Sequence, residues 1–186
     1  MKKKQKSKLS KITWLLLLIF LATLLTFPKW ITYFYPKPYE EIVYLAAEEH
    51  RLDPYLVFAI IRVESKYQPN ARSSVGAVGL MQIMPDTAKW IALQKNLEDF
   101  DIKDLNDPDT NIRLGSYYIA NLLQEYQEMP TAIAAYNAGR GKVASWISEG
   151  VWTGSAEELD DIPFPETREY VKNVLKSYAA YKAIYE

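Results

Sequence analysis

From Tyr39 to the C-terminus, apolar residues recur at spacings of three and four and almost never alternate with polar ones. An α-helix needs that period to bury one face, whereas a half-buried strand needs a period of two. The pattern therefore confines this stretch to an all-α body. The punctuation agrees. Asp53-Pro54 places a capping carboxylate just ahead of a proline at the first helical position. The helix it opens, Pro54 to Lys66, stops short of Pro69. Further helices are expected over Tyr39–Arg51, Pro85–Trp90, from an Asp109 or Thr110 cap to about Glu128, from Pro130 or Thr131 to Tyr136, over Lys142–Ser148 and over Pro165–Tyr185. Gly139-Arg140-Gly141 breaks the helix that ends at Tyr136. Some seven helices on short loops make a globular bundle.

Ahead of this body lies a different composition. Six lysines and no acid stand in the first eleven residues, and Ile12 to Phe27 is an uncharged apolar run. Sixteen helical residues span about 24 Å, a little short of a ~30 Å hydrocarbon core, and the aromatic stretch Trp30 to Tyr35 can complete the crossing. A cleaved signal peptide shares this layout, but Thr26-Phe27-Pro28-Lys29 lacks the small residues that cleavage requires. The expected organisation is a lysine-rich cytoplasmic tip (1–11), an uncleaved transmembrane signal-anchor (12–35), a short proline stem (36–38) and an outward-facing domain (39–186).

Composition excludes several chemistries. With six of the 22 basic residues at the tip, the remainder has 16 basic against 23 acidic residues, so no nucleic-acid partner is expected. No cysteine is present, which removes disulfides, thiolate nucleophiles and Cys-ligated zinc. His50 is the only histidine, so no multi-histidine metal site can form. It follows two glutamates on an amphipathic helix and is expected at the surface. The acidic stretch Asp101 to Asn111 lacks the glycine and terminal glutamate of an EF-hand and reads as loop and cap chemistry. No metal and no cofactor are indicated.

One residue is out of place. The buried stripe on the Asp53 helix runs Val57, Ile60, Ile61 and then Glu64, so a carboxyl stands where aliphatic side chains are due. Burial disfavours the charged form and raises the pKa, which suits a general acid for glycosidic bonds. The helix alone equally permits Glu64 to turn to solvent or to pair with Arg62 or Lys66.

The residues that follow separate these readings. Glu64-Ser65 is succeeded by Gly76-Ala77-Val78-Gly79-Leu80-Met81-Gln82-Ile83-Met84-Pro85, then Ala135-Tyr136-Asn137-Ala138-Gly139, then Ile162-Pro163-Phe164-Pro165-Glu166-Thr167-Arg168-Glu169-Tyr170-Val171. In this order and spacing the four blocks, spread over residues 40–184, resemble the catalytic domain of the family 1 lytic transglycosylases. The resemblance implies a lysozyme-like helical fold, related to goose-type lysozyme, with a groove for a glycan strand. It makes Glu64 the acid and base, Ser73 a serine lining the site, and Gln82 and Met84 contacts to sugars and their N-acetyl groups. Tyr136 and Asn137 would form the far wall, with Glu166 in a supporting role. Ser73 and Met84 also have plain structural readings, as a turn residue and as core. Tyr117, Tyr118, Trp146 and Trp152 are candidates to stack on sugar faces.

The resemblance further implies that the substrate is peptidoglycan and that one carboxyl suffices. Glu64 would protonate the oxygen between N-acetylmuramic acid and N-acetylglucosamine, then take the proton from the muramic acid 6-hydroxyl as it attacks within the same ring. A 1,6-anhydro end results and no water is consumed. An attacking group on the same ring has a high effective concentration, so no activated water is needed. Two alternatives stand beside this reading. A goose-type lysozyme would need a second carboxylate, for which Asp86 or Glu166 are available, and an inactive wall-binding scaffold would need none.

Overall fold

A computed structural model of the chain describes residues 2–186, with side chains outside the description for residues 2–10 and 25–30. The chain divides into two compact units, Met1–Pro36 and Lys37–Glu186. The first is a single helix, α1 (Lys2–Phe34). Among the described residues no helix is long and apolar enough to cross a membrane, so they lend no support to a transmembrane span over 12–35. The physical reason is length: the described apolar run Ile12–Leu24 rises only about 20 Å as a helix. The rest of the expected span includes residues 25–30, whose side chains lie outside those described.

The second unit is all-helical, with no strand among the described residues and only two isolated β-bridges, Arg72 to Val78 and Val78 to Ile83. Its helices are α2 (Glu40–His50), α3 (Pro54–Ser65), α4 (Pro85–Gln94), α5 (Pro108–Tyr126), α6 (Met129–Ala138), α7 (Arg140–Ser148) and α8 (Pro165–Tyr185). Short 3-10 helices cover Ile102–Asn106 and Ala156–Asp161. The Asp53 carboxylate accepts the Tyr55 N–H at 2.9 Å and starts α3, as its position before Pro54 demands. α5 is capped two residues earlier than the nearer expected position: Asp107, not Asp109 or Thr110, accepts the Thr110 N–H at 2.9 Å. Pro108 at the first helical position has no N–H to satisfy, which favours that start. α4 runs a turn past Trp90 because Ile91 and Ala92 continue the buried period.

α3 packs against α8 and α2, α2 against α5, α5 against α6, and α6 against α8, so five helices close a ring around one core. This explains why α3 buries every residue from Tyr55 to Ile61 rather than a single stripe. Each large aliphatic or aromatic side chain so buried contributes about 1.5–3 kcal/mol. The helical period alone would put Ile42, Leu45, Ala46 and Glu49 on one inward side of α2, and the structure turns a different face inward. Val43, Ala46 and Ala47 are buried, while Leu45 is 48% exposed and Glu49 lies outside. Small alanines let α2 approach its neighbours closely, and the larger Leu45 would hold it off. His50 is also not a surface residue: its side chain is only 11% exposed, and its ring meets Tyr117 edge-on at 5.5 Å.

Candidate active site

Glu64 occupies the last turn of α3, three residues after the end of a run of seven buried residues, Tyr55 to Ile61. Its carboxyl is half-buried, and the Tyr170 hydroxyl donates to Oε1 at 2.7 Å. Burial pushes the carboxyl from its ordinary 4.5 up to about 7, and the Tyr170 hydrogen bond, which favours the charged form, opposes the rise. Tyr170 is buried on α8, and the packing of α8 on α3 brings it to Glu64 across 106 residues of sequence. A second phenol, Tyr136 on α6, feels the Glu64 charge. Burial first and then that charge raise its pKa well above the ordinary 10.0, so both phenols stay protonated.

Residues 71–84 form a loop whose backbone is fixed by its own hydrogen bonds and by one amide. Asn111, fully buried on α5, donates Nδ2 to the carbonyls of Val78 (3.0 Å) and Leu105 (2.8 Å) and accepts the Met81 N–H at 2.8 Å. Gly79 sits at φ +82° with its missing Cβ only 2.1 Å from Asn111 Nδ2, so no other residue fits there. Held in this way, the Met81 carbonyl accepts the Tyr136 hydroxyl at 2.8 Å. Asn111 thus positions Met81, and Met81 positions Tyr136 beside Glu64.

The structure gathers some of the expected residues and separates others. Gln82, Met84, Tyr136 and Asn137 line one cavity of about 210 Å³, together with Thr87, Tyr118 and Gly139. Glu64 is not among the residues lining that cavity; Tyr136, which is, connects the two. Gln82 holds a left-handed backbone (φ 46°), and its Nε2 donates to the carbonyls of Ala71 (3.1 Å) and Gly79 (2.8 Å). That conformation costs a non-glycine residue about 1–2 kcal/mol, which its side-chain bonds offset. Met84 is 41% exposed at the start of α4 and is not core. Asn137 Oδ1 accepts the Thr167 hydroxyl at 2.8 Å, which ties α6 to the first turn of α8. Ser73 lies in the turn before Gly76, where its Oγ accepts the Ala77 N–H at 2.9 Å. Glu166 is exposed in the first turn of α8, one turn before Tyr170.

The expected stacking residues divide in the same way. Trp146 and Trp152 are core, 6% and 1% exposed, with Trp146 edge-on to Phe164 at 5.1 Å. Tyr118 does line the cavity, its ring 5.4 Å from that of Tyr136. The residues missed by sequence reasoning are Tyr170 and Asn111. Tyr170 carried a signal, since it stands on the buried face of α8 inside the last block. Asn111 carried little, because a polar residue near a helix start ordinarily reads as a cap.

The all-helical ring thus sets one raised-pKa glutamate against the Tyr170 hydroxyl, with the protonated phenol of Tyr136 nearby. The chain belongs to the Transglycosylase SLT domain family, which residues 41–158 match. Residues 161–186 match the Soluble lytic transglycosylase helical domain. Among its relatives, the soluble lytic murein transglycosylase of Escherichia coli (strain K12) is 37% identical over 150 residues, covering 79% of this chain and 23% of that protein. The membrane-bound lytic murein transglycosylase C of Actinobacillus pleuropneumoniae is 38% identical over 117 residues, 58% of this chain and 32% of that one. The fold is that of the 70 kDa soluble lytic transglycosylase of Escherichia coli, with a TM-score of 0.76 at 35% identity over 82% of this chain and 25% of that one. A lytic transglycosylase from Pseudomonas aeruginosa, solved as an inactive glutamate-to-glutamine mutant, gives 0.71 at 36% identity over 80% and 25%. This chain spans about a quarter of the length of such relatives.

Proposed function

We propose that this chain is a peptidoglycan lytic transglycosylase that cleaves the β-1,4 bond between N-acetylmuramic acid and N-acetylglucosamine without water, leaving 1,6-anhydromuramic ends. The observation that carries the reading is Glu64, a carboxyl lifted to about 7 and held by Tyr170. Near neutrality such a group is divided between acid and base. Protonated, it gives its proton to the bridging oxygen as the bond to the muramic acid C1 breaks. The substrate's own acetamido oxygen meets the positive charge at C1. Glu64, now a carboxylate accepting from Tyr170, removes the proton of the 6-hydroxyl, whose oxygen closes on C1. The proton count returns to its start, and the carboxyl is ready again.

Hydrolysis would call for a second carboxylate to activate water. The two candidates do not sit in a sheltered place: the Asp86 side chain is 97% exposed and Glu166 is exposed. Gln82, Met84, Tyr136 and Asn137 are assigned to the sugar rings and N-acetyl groups, as residues of one cavity. Ser73 is assigned to the edge of the site, on the loop that shapes it, where its Oγ accepts from the Ala77 N–H. For Glu166 we keep only a supporting place at the rim.

We also place the N-terminal segment at a membrane, lysine tip inside and residues 39–186 outside, as a single-pass signal-anchor. Support comes from the six lysines before residue 12 and the uncharged run Ile12–Phe27. Fractionation of cells expressing the full chain checks this, and release by high salt without detergent would overturn it.

Mass spectrometry of fragments released from purified peptidoglycan by the full chain tests the activity, with Glu64→Gln as control. Anhydro ends, lighter by one water than reducing ends and absent from the control, are expected. Reducing ends, or fragments unaffected by the substitution, would refute the reading.

A further inference from the structure

α3 ends one residue past Glu64. The last turn of a helix is the part that frays, because its final carbonyls lack intrahelical donors. Fraying there would carry the Glu64 carboxyl off the Tyr170 hydroxyl. The chain after Ser65 opposes it. Lys66 (φ 50°) and Tyr67 (φ 65°) both take the left-handed conformation, which two successive residues with a Cβ adopt only where their surroundings hold them. The Lys66 N–H donates to the Arg62 carbonyl at 3.2 Å and the Gln68 N–H to the Ser65 carbonyl at 3.1 Å, which closes the turn. The Tyr67 ring then reaches back along α3, and its hydroxyl donates to the Phe58 carbonyl at 3.2 Å.

A phenol has one proton to give. Burial first, and then the Tyr181 hydroxyl, raise the Tyr67 pKa well above the ordinary 10.0, so that proton stays in place and goes to Phe58. The hydrogen bond between the Tyr67 and Tyr181 hydroxyls is therefore donated by Tyr181, which is fully buried on α8 with its ring 5.6 Å from that of Phe58. Resting on the proposed function, we infer that Tyr67 is a positioning residue for the reaction: its hydroxyl clasps Phe58 and Tyr181, pins the end of α3 against α8, and so keeps the Glu64 carboxyl on the Tyr170 hydroxyl. Tyr181 lies eleven residues beyond Tyr170, about 16 Å along α8, so the clasp works at a distance from the reacting group. The other end of α3 is tied to α8 separately, with Tyr178 donating to Asp53 at 2.7 Å and Tyr55 to the Tyr185 carbonyl at 3.1 Å. Phe58 stands inside α3, where the helical period already gives its carbonyl the Arg62 N–H. The Tyr67 bond is thus not needed to make α3 a helix; it fixes where the helix stops.

The test is kcat and KM of the full-length chain on glycan strands from purified peptidoglycan, followed across pH for the parent, Tyr67→Phe, Tyr170→Phe and the double variant. Tyr67→Phe keeps the ring and loses the clasp. Its kcat should fall about fivefold, the contribution of one hydrogen bond, with KM little changed. The alkaline limb, expected near 7 in the parent, should move upward by about half a pH unit, because a loosened Tyr170 bond favours the ionised carboxyl less. The double variant should match Tyr170→Phe alone, since Tyr67 acts through that bond. An unmoved limb, a loss confined to KM, or effects that simply add in the double variant would each overturn the assignment, whatever Tyr67→Phe does to stability. The same shift can be read without turnover. In urea denaturation, the pH window in which a chain loses stability relative to its own Glu64→Gln counterpart should extend higher for Tyr67→Phe than for the parent. Missing anhydro ends from the parent would refute the proposed function, while this second readout still decides on Tyr67.

Discussion

Glu64→Gln should make the protein more stable while removing its chemistry. Glutamine keeps the size of the side chain and an acceptor for the Tyr170 hydroxyl, and it has no charge to bury. In the folded chain the carboxyl titrates at about 7 against an ordinary 4.5, with burial the main cause. Between those values the folded protein holds a proton that the unfolded chain has released. The folded state therefore binds more protons, and stability falls as pH rises. The loss begins above the unfolded value and is complete once pH has passed the folded one. At about 1.36 kcal/mol for each pH unit, the parent should lose about 3 kcal/mol relative to Glu64→Gln across this window. Urea denaturation of both chains, from about pH 4 to about pH 8.5, reads the difference directly. Curves that run parallel would mean that Glu64 titrates like a solvated carboxylate, and the argument from burial would fail. In the proposed mechanism the same group supplies the acid for the first step, so kcat/KM of the parent should decline as pH rises through about 7.

Three further substitutions probe how the site is held. Tyr170→Phe removes the hydroxyl that favours ionised Glu64, so the alkaline limb of the pH–rate profile should move upward while kcat falls; an unmoved limb would deny Tyr170 its positioning role. Asn111→Ala strands the Leu105 carbonyl and the Met81 N–H in the core and leaves the Val78 carbonyl with only the Ile83 N–H, and should cost about 2–4 kcal/mol in urea denaturation together with most of the activity. Gly115→Ala ought to gain about 1 kcal/mol of helix propensity in α5. Its new Cβ would instead stand 2.4 Å from Met81 Sδ and 2.8 Å from Met81 Cβ, so net destabilisation of about 1–3 kcal/mol and a displaced Tyr136 are expected; a higher melting temperature would refute this.

The sequence by itself determined what depends on neighbours along the chain. Helix period, the Asp53 cap and the prolines at helix starts act within a turn or two, so the all-helical body and the span of α8 were legible without tertiary contacts. Glu64 was legible as an anomaly because its place on α3 follows from the same local period. The face of α2, the burial of His50 and the full immersion of α3 were not legible, since each depends on how many helices surround the element. Tertiary structure also decided the chemistry of the site. Tyr170 reaches Glu64 from 106 residues away, Tyr136 reaches Met81 from 55, and Asn111 closes the loop from 30. Those distances in sequence carry no local signal. Only the ring of α2, α3, α5, α6 and α8 turns a glutamate at a helix end into a buried acid between two phenols, because desolvation is a property of the whole packed neighbourhood.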